Sequence, residues 1–378
     1  MTNRRDLLKA GAAIAATAAV SPFALPTAAG AQAGAPATFA PKPGDWRNFE
    51  VVTSLAIAPV EGKAGPAQAW VPLPSYTADS WFKPGENRWK TNATTAEVVA
   101  DPHYGARMLH LVWADGEAAP QVEITSTIAT RDRATDLKKP GTVAPLSAGD
   151  RSLFLAATDL IPIDGLVKAT ADKIVAGKTT DLEKARAIYE WVVDNTYRNA
   201  ATRGCGTGDI ASLLASGNLG GKCADLNALF VGLNRAAGIP ARDIYGIRVA
   251  PSAFGYKSLG ANSPTISKAQ HCRAEVWLDG FGWVATDPAD VRKVVLEEPP
   301  GKLAVDDAKV LAARKALFGA WEGNWLAYND GHDIALPGSS GPKLGFLMYP
   351  QAEVASLRHD CLEPDAFKYT ISAREISA

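Results

Sequence analysis

From Asn48 onward, short runs of alternating or β-branched residues follow one another at 49–57, 67–73, 95–99, 107–113 and 121–130. Alternation at a period of two sends one set of side chains to a buried face. Clusters of Gly, Pro and Asn between the runs supply the turns. The pattern predicts a β-sandwich over residues 46–140, preceded by an Ala-, Pro- and Gly-rich linker at 34–45. Past Lys138-Lys139-Pro140-Gly141 the period lengthens. Asp164 precedes a helical stripe of Leu166, Val167, Ala171, Ile174 and Val175 that Gly177 ends, and Thr180-Asp181-Leu182-Glu183 has the form of a capping box ahead of Ala185, Ile188, Tyr189 and Val192. Beyond Arg242 strand signals return at 244–249, 274–278 and 283–286. The Pro- and Gly-rich stretch 320–350 is expected to complete or cover this second segment, which spans 150–378. No internal repeat is visible.

One helix in the second segment carries chemistry. Gly220-Gly221-Lys222-Cys223 opens it, Leu226, Leu229, Phe230 and Leu233 form its inward stripe, and Gly238 and Pro240 stop it. Cys223 therefore sits in the first turn, where free N–H groups and the positive end of the helix dipole favour a thiolate and can hold an oxyanion. A lone Cys is more often a small core residue, and its place after two glycines argues against that here. A strand–turn–strand pattern runs from His271 to Asp287, with Asp279-Gly280-Phe281-Gly282 as its turn. Such a hairpin brings its two ends together, so a carboxylate can orient an imidazole that exchanges a proton with the thiol.

These residues resemble the transglutaminase-like superfamily. Gly-Lys-Cys-Ala-Asp-Leu with Leu233 to Arg242, and His271…Glu-Val-Trp…Gly-Trp-Val…Asp287-Pro288, carry the resemblance over about 180–290, with Asp287 sixteen residues after His271. The resemblance implies an α+β fold. Its papain-like core has a Cys-led helix packed on an antiparallel sheet, here preceded by the β-sandwich. It implies Cys223 as nucleophile, His271 as base and acid, and Asp287 as orienting carboxylate. It also implies no cofactor and no metal, and a protein or peptide substrate. Acyl transfer at an amide is the reaction class, hydrolysis being favoured over cross-linking to an amine. The family can use a side chain upstream of the Cys for the oxyanion, and Trp191 and Tyr197 are the candidates. Cys272, beside the base, departs from the usual small or apolar residue and bears on redox state. The competing class is a non-catalytic interaction module.

Composition narrows the rest. The chain has 378 residues, 47% of them hydrophobic, enough for more than one core. With 39 basic and 40 acidic residues, nothing in the net charge of -1 favours nucleic acid or an anionic membrane as partner. Asn3-Arg4-Arg5-Asp6-Leu7-Leu8-Lys9, an apolar stretch to Val20 and small residues near Ala29 to Ala33 read as a cleaved twin-arginine export signal over residues 1–33. The apolar stretch is shorter than the ~20 residues a spanning helix needs. The mature chain is therefore expected to be periplasmic or secreted and free of the membrane. Cys205, Cys223, Cys272 and Cys361 are the only cysteines. If Cys223 stays free, at most one bridge can form, and the absence of CxxC points away from zinc. Asp225 reads as an anchor for first-turn amides, Arg242 and Arg248 as paired surface arginines, Trp277 and Trp283 as hairpin packing, and His332 and Asp333 as a loop network.

Overall fold

The structure is a computed structural model that describes residues 38–58, 65–363 and 367–377. The export-signal reading of 1–33 lies outside those residues. Among the described residues no helix is long and apolar enough to cross a membrane.

Two antiparallel sheets dominate the first half. One has the order Phe367–Ile376, Arg47–Ile57, Gln121–Thr130, Phe82–Thr91. The other has the order Leu357–Arg358, Gln351–Val354, Ala67–Pro72, Arg107–Val112, Thr95–Ala100. Leu55, Val71, Leu111, Ile124, Ala352 and Phe367 belong to one apolar layer that both sheets share. Three of these strands come from the C-terminus. The segment 150–378 thus divides: Trp325–Asn329 pairs with Ala241–Arg248 in the second half, while 351–376 crosses back to the first. The alternating pattern of Phe367–Ile376 suits it to cover the outer edge of Arg47–Ile57. Phe82–Thr91 escaped the alternation reading because Pro84 and Gly85 interrupt it, and the register shifts between Pro84 and Asn87.

The second half is α+β. A four-stranded antiparallel sheet runs Gly282–Thr286, Gln270–Leu278, Ala241–Arg248, Trp325–Asn329. Helix Asp181–Asn195 starts with the full capping box, Thr180 Oγ1 accepting from Glu183 N–H and Glu183 Oε2 accepting from Thr180 N–H. Helices Pro288–Glu297 and Ala308–Ala316 follow the hairpin, in a stretch for which the sequence pattern predicts no element.

Helix Cys223–Ala236 is the centre of this half. The sequence stripe gives it one buried face, yet nearly all of it is buried. Fully burying each Leu or Phe here contributes about 1.5–3 kcal/mol. Its buried polar residues are bonded in part: Asn234 Nδ2 donates to Phe230 O and Arg235 donates to Ala241 O and Ala156 O, while Asn234 Oδ1 and Arg235 Nη2 have no partner among the described residues. The neighbouring strand Gln270–Leu278 is fastened to the first half through buried Glu275. Its carboxylate accepts from the Tyr76 hydroxyl at 2.9 Å, from Arg242 Nε at 2.8 Å and from Arg133.

Candidate active site

The loop before the central helix sets where Cys223 starts. Asp225 reaches back so that Oδ2 accepts from Lys222 N–H at 3.0 Å and Oδ1 accepts from Thr207 and Gly208 N–H at 3.0 Å each. The Ala224 N–H donates to Cys205 O at 2.9 Å, so residues 205–208 are tied to the helix start. Gly206 has φ of +93°, and a Cβ there would lie 1.9 Å from Asp225 Oδ2. Gly206→Ala is expected to destabilise the fold by about 1–3 kcal/mol. A urea midpoint equal to wild type would show that the loop is not pinned in this way.

The hairpin delivers the other two residues. Ala274 pairs with Thr286, which places His271 and Asp287 at the open end. His271 Nε2 lies 2.7 Å from Asp287 Oδ2 and 3.3 Å from Asp290 Oδ1. With Nε2 engaged, Nδ1 is the nitrogen left for the Cys223 thiol, whose charged form the ring favours. Asp287 also caps helix Pro288–Glu297, its Oδ1 accepting from Asp290 N–H at 3.0 Å and Asn227 Nδ2 at 3.2 Å. Asn227, one turn after Cys223, donates to Cys272 O as well, at 2.8 Å. All of these side chains are buried. The structure therefore brings Cys223, His271 and Asp287 together.

It adds residues that the sequence reading did not place there. Asp290 is a second carboxylate on the imidazole, and Arg248 holds it with two contacts at 2.6 and 2.8 Å. Arg248 and Arg242 are paired as expected, but in the interior: Arg248 is 1% exposed. Cys205, Cys223 and Cys272 offer sulfur atoms that all lie within 4.8 Å of one another. All four cysteines are free thiols. Absence of CxxC pointed away from metal, yet the fold groups three sulfur donors from distant positions, a set that suits soft ions such as Cu(I).

Electrostatics favour one charged pair. Hydrogen bonds from Cys205 and then Cys272 hold the Cys223 thiol well below its ordinary range. Burial opposes this, and His271 adds to it. The bond to Cys223 correspondingly pushes Cys205 up, and burial pushes Cys272 up. For His271, burial works against charge, but Asp290 and Asp287 outweigh it and lift the ring to about 9. The two shifts run in the direction that favours thiolate beside imidazolium over two neutral groups.

Cys223, Cys205, His271 and Tyr349 share the wall of a cavity of about 910 Å³. Trp191 and Tyr197 do not line it. Trp191 packs on the core, while Tyr197 is 42% exposed, gives its hydroxyl to Asn218 and lies against Gly220. His332 and Asp333 also stand elsewhere, against Tyr245 and the Asp159 N–H. Trp277 and Trp283 pack edge to face at 5.5 Å.

The profile of the transglutaminase-like superfamily matches residues 168–288. An uncharacterized protein of Haemophilus influenzae is 36% identical over 347 residues, covering 88% of this chain and 92% of the relative. Among solved structures, a Cytophaga hutchinsonii protein provisionally described as a cysteine protease aligns at 16% identity and TM-score 0.48, over 88% of this chain and 99% of its own. The periplasmic domain of TgpA from Pseudomonas aeruginosa aligns at 15% identity and TM-score 0.32, over 66% and 88%. With the Cys-led helix, the His–Asp hairpin and the matched core, the chain belongs to the transglutaminase-like superfamily.

Proposed function

We propose that this protein is an exported cysteine hydrolase that cleaves amide bonds of protein or peptide substrates through an acyl-thioester. The observation that carries the reading is the juxtaposition of Cys223 and His271 on one cavity wall, with Asp287 buried behind the imidazole at 2.7 Å from Nε2. The Cys223 thiolate attacks the carbonyl carbon, and the oxyanion is met by the Cys223 N–H, the Lys222 and Ala224 N–H groups being taken by Asp225 and the Cys205 carbonyl. Collapse breaks the C–N bond as His271 gives its Nδ1 proton to the leaving amine. Water then yields a proton to His271, its oxygen attacks the thioester, and C–S cleavage returns the thiolate and releases the acid. Asp287 and Asp290 hold the ring throughout. Exposed Thr265, Lys268 and Lys368 line the same cavity, so water has access to the thioester, which favours hydrolysis over transfer to an amine.

Casein, cell-wall peptides and a labelled amine donor, each incubated with the reduced protein, test the reaction class. New termini support hydrolysis, whereas amine incorporation would replace it with cross-linking. An interaction module is separated by thiol chemistry. Iodoacetamide labelling of Cys223, followed by peptide mapping against pH, is expected to have a midpoint well below the ~8.5 of an ordinary thiol. Cys205→Ala removes the neighbouring thiol that contributes most to lowering Cys223 and is expected to move that midpoint up. A wild-type midpoint at the ordinary value, with no turnover, would leave only the interaction reading.

A further inference from the structure

The wall around Cys223 differs in charge from the chain as a whole. The chain carries 39 basic and 40 acidic residues. The described lining of the cavity holds seven Lys and Arg side chains and no Asp or Glu. Pairing behind the wall neutralises only some of them. Arg248 is matched by Asp290, Arg203 by Asp360, and Arg198 and Lys293 share the single carboxylate of Glu297. Lys222, Lys268 and Lys368 have no ion pair among the described residues. Lys222 directly precedes the nucleophile, while Lys268 stands three residues before His271 and Lys368 comes from the C-terminal strand, so the surplus surrounds the opening rather than lying on one element. A second observation comes from the interior. Arg248 lines the cavity, is 1% exposed, and its Nε has no hydrogen-bond partner among the described residues.

A concave surface of one charge sign focuses its field and concentrates counter-charged ligands. We infer that the cavity selects carboxylate-bearing substrates, acidic peptides in which one or more carboxylates flank the scissile amide, with Lys222, Lys268 and Lys368 as the specificity-determining residues. This rests on the hydrolase reading for its peptide arm but not for its electrostatic arm.

The test uses both arms on the full, reduced protein. In the first, Cys223 is alkylated by iodoacetate, an anion, and by iodoacetamide, its neutral analogue, with labelling mapped to Cys223. The iodoacetate-to-iodoacetamide rate ratio is expected to exceed that of N-acetylcysteinamide by about ten-fold at low salt. It should fall towards the free-thiol value at high salt, where screening is nearly complete beyond about 3 Å. Lys268→Glu/Lys368→Glu is expected to lower the ratio to or below that of the free thiol. In the second arm, matched peptides bearing Glu, Gln or Lys beside the cleaved bond are compared by kcat/KM, and the Glu peptide should lead. A wild-type ratio equal to the free thiol, or cleavage without preference for Glu, overturns the inference even if turnover is fast. A high, salt-sensitive ratio with no cleavage of any peptide supports the anion preference and removes the hydrolase reading instead.

Discussion

Cys223→Ala is expected to abolish peptide cleavage, lowering kcat by roughly 10⁵-fold or more, while leaving the chain folded. The size of the loss follows from the chemistry: without sulfur no thioester forms, and what remains is orientation and oxyanion contacts alone. Folding should tolerate the change. Cys223 is 3% exposed and packs at the start of a helix that Asp225 and the Cys205 carbonyl hold through the backbone, not through sulfur. Removing one buried sulfur leaves a small void worth ~1 kcal/mol, since such losses scale with the volume left unfilled. The check is kcat on the best peptide found, together with the unfolding midpoint and a search by mass spectrometry for the acyl adduct. Turnover within ten-fold of wild type, in a folded variant, would end the covalent mechanism.

What the chain disclosed beforehand was local. The capping box at Thr180, the Cys-led helix and the hairpin from His271 to Asp287 all depend on residues close in sequence, and each is present. Residues contributed from far away were not legible. Cys205 reaches Cys223 through a glycine-rich loop whose position depends on Asp225, eighteen residues beyond Thr207. Tyr349 and the strand Phe367–Ile376 return from the C-terminus, and no periodicity names a strand's partner. Long-range pairing of this kind is fixed by the whole core rather than by any segment.

Two local patterns in the sequence point to further site residues. Asn227 is polar within an apolar helix and one turn from Cys223, a spacing that points it at the same face. Asp290 follows Asp287 by three in a helix opened by Pro288, a capping pattern that brings both carboxylates to one place. Arg248 was harder. An arginine in a strand is ordinarily a surface residue, and only the burial of Asp290 explains its place in the interior. Trp191 and Tyr197 show the opposite limit: proximity in sequence to the site-forming elements did not bring either to the cavity.

Arg248→Met is expected to destabilise the protein by about 3–5 kcal/mol, because it strands the Asp290 charge in the interior. Met keeps most of the volume, so the loss is chiefly electrostatic. A double-mutant cycle isolates the pair: Arg248→Met/Asp290→Leu should recover much of the loss, since an apolar replacement of both partners is often neutral or stabilising. The pH dependence then separates the pair's structural role from its action on His271. Burial works against the Asp290 charge, but Arg248 and then His271 hold its carboxyl well below the usual range. Its stabilisation is therefore present above the unfolded carboxylate value near 3.9 and is lost as pH falls through the lower folded value. His271 is lifted to about 9, so its contribution is complete below the unfolded value near 6.5 and is lost as pH rises through about 9. Arg248 lowers His271 and Asp290 raises it. The alkaline limb of kcat, which follows loss of the imidazolium proton, should accordingly move to higher pH in Arg248→Met and to lower pH in Asp290→Asn. Opposite shifts in two variants that both lose stability cannot come from a general loosening of the fold. A pair of limbs that move together, or an Arg248→Met variant as stable as wild type, would show that Asp290 neither carries the buried charge nor tunes the base.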